Sequence, residues 1–170
     1  MIEILILHTL SKGVYTMYGI KKHIEDNYSA FLIPSLGTIR PALMRLVQKG
    51  FISFQKNMSK GGRPSVYYSI TNTGKKGLTE YLLSPVSDNP VQFLSNARIR
   101  LSCSDLLDEA DLKELIKLLK IKAESTYTET SKLVERKDRG FCSKMVLDNL
   151  SCEYKNFISL LEGLLRAGNH

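Results

Sequence analysis

The sequence predicts a mainly α chain with one two-stranded hairpin after its third helix, divided into two parts at residues 1–83 and 84–170. Three observations lead there. Apolar residues recur at helical spacing through most of the chain, whereas alternation with a period of two is confined to one short stretch around a Gly-Gly pair. Charge is also split unevenly. Residues 1–83 carry 11 bases against 4 acids, and residues 84–170 carry 13 against 13, so the net charge of +7 belongs to the first part. Between Asn27 and Thr79 stand eight lysines and arginines and no acid. A field of one sign confined to one segment attracts a polyanion, of which nucleic acid is the commonest.

The elements follow in order. Ile4, Leu5, Leu7 and Leu10 give a short apolar helix ending near Gly13. Thr16 is an N-cap for a second helix through Asp26, with Ile20 and Ile24 on its inner face. Ile33-Pro34-Ser35 breaks the chain before a third helix, in which Ile39, Leu43, Leu46 and Val47 form the inner stripe. Thr38, Pro41, Arg45 and Gln48 then point outward. Pro41 is expected in or near the first turn, where a missing N–H matters little, and either Ser35 or Thr38 caps the helix. Gly50 closes it. Phe51–Lys56 and Ser65–Ile70 are strands joined by a basic turn containing Lys60, Gly61, Gly62 and Arg63. In the second strand Val66, Tyr68 and Ile70 face inward, leaving Tyr67 and Ser69 outward.

Two helices in tandem, the second with a basic outer face, followed by a basic hairpin, is the order of a winged helix-turn-helix. A helix fits the major groove of B-DNA, and cations on a hairpin tip reach neighbouring phosphates or the minor groove. Arg45 is the expected groove contact. Ser35 and Thr38 lie at the helix N-terminus, where a phosphate is favoured. Lys60 and Arg63 are expected backbone or minor-groove contacts, and Tyr18 can bond a phosphate or pack in the core. Lys75 and Lys76 are equally expected to be solvated or bound.

Leu5–Leu10, Tyr18-Gly19-Ile20, Gly37-Thr38-Ile39-Arg40-Pro41-Ala42-Leu43-x-Arg45-Leu46 and Gly50-Phe51-Ile52 together resemble the PadR-like family of bacterial transcriptional regulators. So does Gly62-Arg63-Pro64-x-x-Tyr67-Tyr68-x-Ile70-Thr71-x-x-Gly74, and the likeness covers about residues 2–83. The family commonly has an aromatic where this chain has Arg40, which adds a possible phosphate contact and alters base reading. The resemblance implies a winged helix with a C-terminal helical dimerisation region and operator binding, usually repression. It also implies release by a small hydrophobic or aromatic effector near the dimer interface.

Thr71–Leu83 reads as a fourth helix that ends the first part; after a break at Ser84–Pro90, Val91–Leu101 reads as a helix, followed by long helices over Asp108–Arg136 and Ser143–Ala167. Leu147, Leu150, Tyr154, Phe157, Leu161 and Leu164 recur at alternating three- and four-residue steps, the seam of a coiled coil or bundle. The seam can pack on Asp108–Arg136 within the chain. It is expected also to join a homodimer, which would place two third helices on a near-palindromic DNA site.

No apolar run approaches the roughly 18 residues of a membrane span. The run Ile2–Leu10 contains Glu3 and His8 and does not read as a secretory segment. Cys103, Cys142 and Cys152 fit reduced thiols in the cytoplasm, with packing expected over redox sensing. His8 and His23 each lack a nearby acid or cysteine of metal-ligand spacing, so neither a metal nor any other cofactor is expected. No nucleophile–base pair or phosphate-binding loop suggests an enzyme. The expectation is a DNA-binding regulator; the alternative is a winged-helix protein–protein adaptor that does not read DNA.

Overall fold

The computed structural model describes residues 1–58, 62, 64–87 and 89–167. The elements are α1 (Ile2–Ser11), β1 (Tyr15–Thr16), α2 (Met17–Tyr28), α3 (Leu36–Gln48), β2 (Ile52–Met58), β3 (Pro64–Ile70), α4 (Asn72–Leu83), α5 (Pro90–Ser102), α6 (Glu109–Val134) and α7 (Phe141–Ala167). The mainly α class holds, with one correction. The sheet has three strands in the order β1-β3-β2, all antiparallel, rather than two. Tyr15 and Thr16 pair with Tyr68 and Tyr67, and a two-residue strand carries no period for a sequence reading to detect.

The chain divides into two compact units, residues 1–84 with 94–106, and residues 85–93 with 107–170. The division expected at 83/84 therefore differs for residues 94–106. In the first unit these residues bury Leu94, Ala97, Ile99 and Cys103. Arg100 adds polar ties: its Nη1 donates to the Leu82 carbonyl at 2.9 Å and to the Ser84 carbonyl, supplying partners to the C-terminal end of α4. An exposed, Pro-containing break in sequence thus marks an excursion of the chain rather than the end of the first unit.

The first unit is organised on α1, in which Ile4 through Leu10 are all buried. Two polar side chains of α1, His8 and Thr9, are buried. His8 Nδ1 is 2.7 Å from the Tyr28 hydroxyl of α2, and its Nε2 is 2.6 Å from Asp105. With Nε2 protonated, His8 donates to Asp105 and accepts from Tyr28, whose oxygen accepts the thiol hydrogen of Cys103 at 3.8 Å. Lys12 also donates to Asp105. His8 was expected to have no acid of metal-ligand spacing near it in sequence. The acid is present, 97 residues away in sequence.

α3 ends as a Schellman motif: the Gly50 N–H donates to Val47 O and the Phe51 N–H to Leu46 O, both at 2.9 Å, with Gly50 at φ 69°. The Thr71 hydroxyl donates to Gly50 O at 2.7 Å and accepts from the Gly74 N–H, so it caps α4 while tying it to the end of α3. The approach is close. A Cβ at Gly74 would lie 1.9 Å from the Phe51 carbonyl oxygen.

In the second unit α6 and α7 form an antiparallel hairpin. Leu115, Ile116, Leu119 and Ala123 of α6 are buried, as are Tyr154, Phe157 and Leu161 of α7. Phe93 stacks with Tyr154 and meets Phe157 edge-on, each at a centroid distance of 6.2 Å.

Burial pushes the Cys103 thiol up to about 12, whereas Cys142 and Cys152 are exposed. With a thiol reagent at pH 8, two of the three cysteines are expected to react in the folded protein and the third only on unfolding; three equally fast thiols would contradict the burial.

Candidate nucleic-acid interface

Ser35 settles the N-cap of α3: its Oγ accepts from the Thr38 N–H at 3.2 Å and lies 3.0 Å from the Thr38 hydroxyl. The N–H groups of Leu36 and Gly37 remain at an exposed, electropositive helix end. Pro41 stands six residues into the helix rather than in its first turn, so the Gly37 carbonyl has no intrahelical donor above it. Both residues are exposed, and water can serve that carbonyl.

The buried side of α3 is Ile39, Ala42, Leu43 and Leu46, with Val47 only half-buried. Ala42 was missing from the expected stripe, and Val47 was in it. That exchange rotates the helix by roughly 30° at 100° per residue. The outward face is consequently centred on Gly37, Pro41, Met44 and Gln48, with Arg40 and Arg45 on its two flanks. Met44 is 68% exposed.

The two flanking arginines differ in environment. Arg45 donates from Nε to Glu3 of α1 at 2.7 Å. Burial alone would raise the Glu3 carboxyl. Hydrogen bonds with Arg45 and Tyr81 and the charges of Arg45 and Lys49 outweigh it and hold the carboxyl below the usual carboxylate range. Lys49 donates to the Tyr81 hydroxyl at 2.6 Å, and that bond holds its ammonium above the usual lysine value. Arg40 is exposed and makes no hydrogen bond or ion pair among the described residues.

The remaining expected residues separate. Ser35, Thr38, Arg40 and Arg45 lie together along α3, all exposed. Tyr18, second in α2, is 67% exposed rather than part of the core. Lys56 is exposed on β2, opposite Val66 of β3, and Lys75 and Lys76 are exposed in the first turn of α4. Lys60 and Arg63 lie outside the described residues. Met44 was not singled out in the sequence, because methionine carries no charge to mark it.

Of the six residues expected to form a seam with another chain, Tyr154, Phe157 and Leu161 are interior to the α6–α7 hairpin of a single chain. Leu147 and Leu150 are half-buried and Leu164 is exposed. Val146, Leu160 and Leu164 form an exposed apolar flank along α7. Among the described residues no helix is long and apolar enough to cross a membrane, and no group of three or more His, Cys, Asp or Glu could hold a metal ion.

Residues 6–80 match the model of the transcriptional regulator PadR-like family. The chain is 24% identical over 169 residues to the negative transcriptional regulator PadR of Bacillus subtilis (strain 168), spanning 94% of this chain and 93% of that one. A PadR family transcription regulator from hypervirulent Clostridium difficile R20291 is 37% identical, over 45% of this chain and 78% of that one, with a TM-score of 0.40. The crystal structure of Bacillus subtilis PadR in complex with operator DNA is 22% identical, covers 98% of both chains and gives a TM-score of 0.45.

The Glu3–Arg45 pair makes a pH-dependent contribution. A carboxyl held low in the folded state stabilises fully above the ordinary carboxylate range, and that contribution disappears as pH falls through the folded value. Glu3→Gln is expected to lower stability by about 1 kcal/mol at pH 7, with the difference from the parent closing in thermal melts as pH falls below the ordinary carboxylate range. A difference independent of pH would contradict the assignment.

Proposed function

Since the chain belongs to the transcriptional regulator PadR-like family, we propose that it is a sequence-specific DNA-binding repressor that acts as a homodimer. The observation that carries this reading is the outward face of α3, centred on Gly37, Pro41, Met44 and Gln48, flanked by arginines and set in a stretch of chain without an acid. α3 enters the major groove, with Ser35, Thr38 and the free N–H groups of its first turn against a phosphate. Arg40 contacts the backbone, and Gln48 is placed to read a base edge. Tyr18 and Lys56 add contacts, and Lys60 and Arg63 are proposed as further contacts on their sequence alone.

Bacillus subtilis PadR is named a negative regulator and has been crystallised on operator DNA; repression is extended to this chain on the family relationship. A dimer on a promoter excludes polymerase, and two copies of α3 about one helical turn apart require a near-palindromic operator. A small hydrophobic or aromatic effector that favours another half-site spacing would release it.

The partner chain covers the exposed flank of α7 at Val146, Leu160 and Leu164 rather than the interior residues Tyr154, Phe157 and Leu161. A second chain can cover the flank without opening the hairpin.

The test is fluorescence anisotropy with a duplex from the protein's own upstream region beside a scrambled duplex, across several salt concentrations. Preference for the upstream duplex, weakening steeply with salt, is expected. Leu160→Glu with Leu164→Glu is expected to shift sedimentation from dimer to monomer and to weaken duplex binding more than tenfold. Absence of binding to either duplex at low salt would favour the protein–protein adaptor.

A further inference from the structure

The middle of the outward face of α3 carries no charge. Gly37, Pro41, Met44 and Gln48 follow one another at steps of four, three and four residues, so they form one exposed strip along the helix. Gln48 has an amide to offer a partner. Met44 has a thioether that accepts only weakly, and the rest of its side chain is apolar. Met44 is nevertheless 68% exposed. Apolar side chains are at hand, since Val47 of α3 and Phe54, Val66 and Tyr68 of the wing sheet line the same groove as Met44. Packing inside the unit therefore leaves most of the Met44 side chain unused.

A single exposed apolar residue is ordinary on a protein surface. What sets Met44 apart is the strip it belongs to. Glycine loses more backbone freedom on folding than any other residue. At Gly37 no neighbour among the described residues demands it, because an added Cβ would make only ordinary contact with the Ser35 Oγ, at 3.5 Å. The bare backbone at Gly37 and the compact ring of Pro41 let an outside surface come close to α3. Met44 and Gln48 are then the side chains of the strip that reach it.

The floor of the major groove narrows what such a side chain can recognise. Base edges there present acceptors, amino donors and one apolar group, the C5-methyl of thymine. A methionine laid on an amino donor or an acceptor strips its water and returns no good hydrogen bond. Against the methyl nothing is lost, and an unbranched, polarizable side chain adapts its torsions to reach it. We propose that Met44 is a specificity-determining residue that reads the C5-methyl of a thymine in each half-site of the operator. The inference rests on the reading of α3 as the helix that enters the major groove. Met44 and Gln48 stand about 6 Å apart along the helix axis, and base pairs rise by about 3.4 Å. The thymine therefore lies within about two base pairs of any base that Gln48 contacts.

The test begins with duplexes enriched from a randomised pool by the full chain, which define the half-site. Each thymine of that half-site is then replaced in turn by uracil, which pairs identically and lacks only the methyl. Fluorescence anisotropy compares the parent with Met44→Ala and Met44→Leu. In the parent, the exchange at one thymine position is expected to weaken binding about fourfold per half-site, the worth of one buried methyl-sized group. Met44→Ala is expected to bind the thymine and uracil duplexes equally at that position while still preferring the enriched duplex to a scrambled one. Met44→Leu, which keeps an apolar side chain, is expected to retain the discrimination. Met44 is solvent-accessible, and unchanged far-UV circular dichroism verifies that the variants fold.

A parent indifferent to every thymine-to-uracil exchange overturns the role of Met44 and leaves α3 as a reader of DNA. A Met44→Ala variant as sensitive to the exchange as the parent does the same. Failure of the full chain to enrich any duplex sequence removes the DNA reading itself, and the role of Met44 with it.

Discussion

The first unit depends on a helix with no solvent face. α1 is buried from Ile4 to Leu10, so each element around it has an apolar surface to cover. Apolar burial is non-directional and would tolerate sliding. The polar residues of α1 remove that freedom. Glu3 holds Arg45 of α3, and His8 holds Tyr28 of α2 and Asp105 beyond α5. A buried or half-buried polar group deprived of its partner is destabilising, so these pairs favour one arrangement over slipped alternatives. α3 thus takes its rotation from a packing stripe and an ion pair together.

That rotation decides which chemistry reaches solvent. Rotated as Ile39, Leu43, Leu46 and Val47 would have it, α3 presents Arg45 at the middle of its outward face. With Ala42 buried, Met44, Pro41 and Gln48 take the middle and Arg45 turns toward Glu3. Among the described residues, the cation of α3 without a partner is then Arg40. On the proposed reading, a face with an apolar and amide centre and cationic flanks would make backbone contacts at its edges and direct readout at its middle. This division of labour suits a reader of base edges better than a uniformly basic helix does.

Much of this was legible in sequence where a local rule applied. Element order, the Thr16 cap and the Gly50 terminus follow from short-range stereochemistry, and the residues carrying the PadR-like resemblance lie in the stretch that the family match covers. What escaped depends on partners distant in the chain. β1 exists because β3 is there to pair with it. His8 looked isolated because its acid is far away in sequence, and Arg45 looked free because Glu3 lies on another helix. The α7 seam had the period of an interface, but periodicity does not say whether the opposing helix belongs to the same chain. Here α6 buries Tyr154, Phe157 and Leu161. The basic wing tip, with Lys60 and Arg63, falls outside the described residues.

The claim that tertiary pairing selects the available cation on α3 is tested most directly by the salt dependence of duplex affinity in two single variants. Each phosphate neutralised by a protein cation adds about 0.9 to the slope of log K against log salt. Arg40→Ala is expected to lower the slope by about one contact, while Arg45→Ala, whose charge Glu3 already offsets, is expected to change it by much less. Equal losses, or a larger loss for Arg45→Ala, would contradict it.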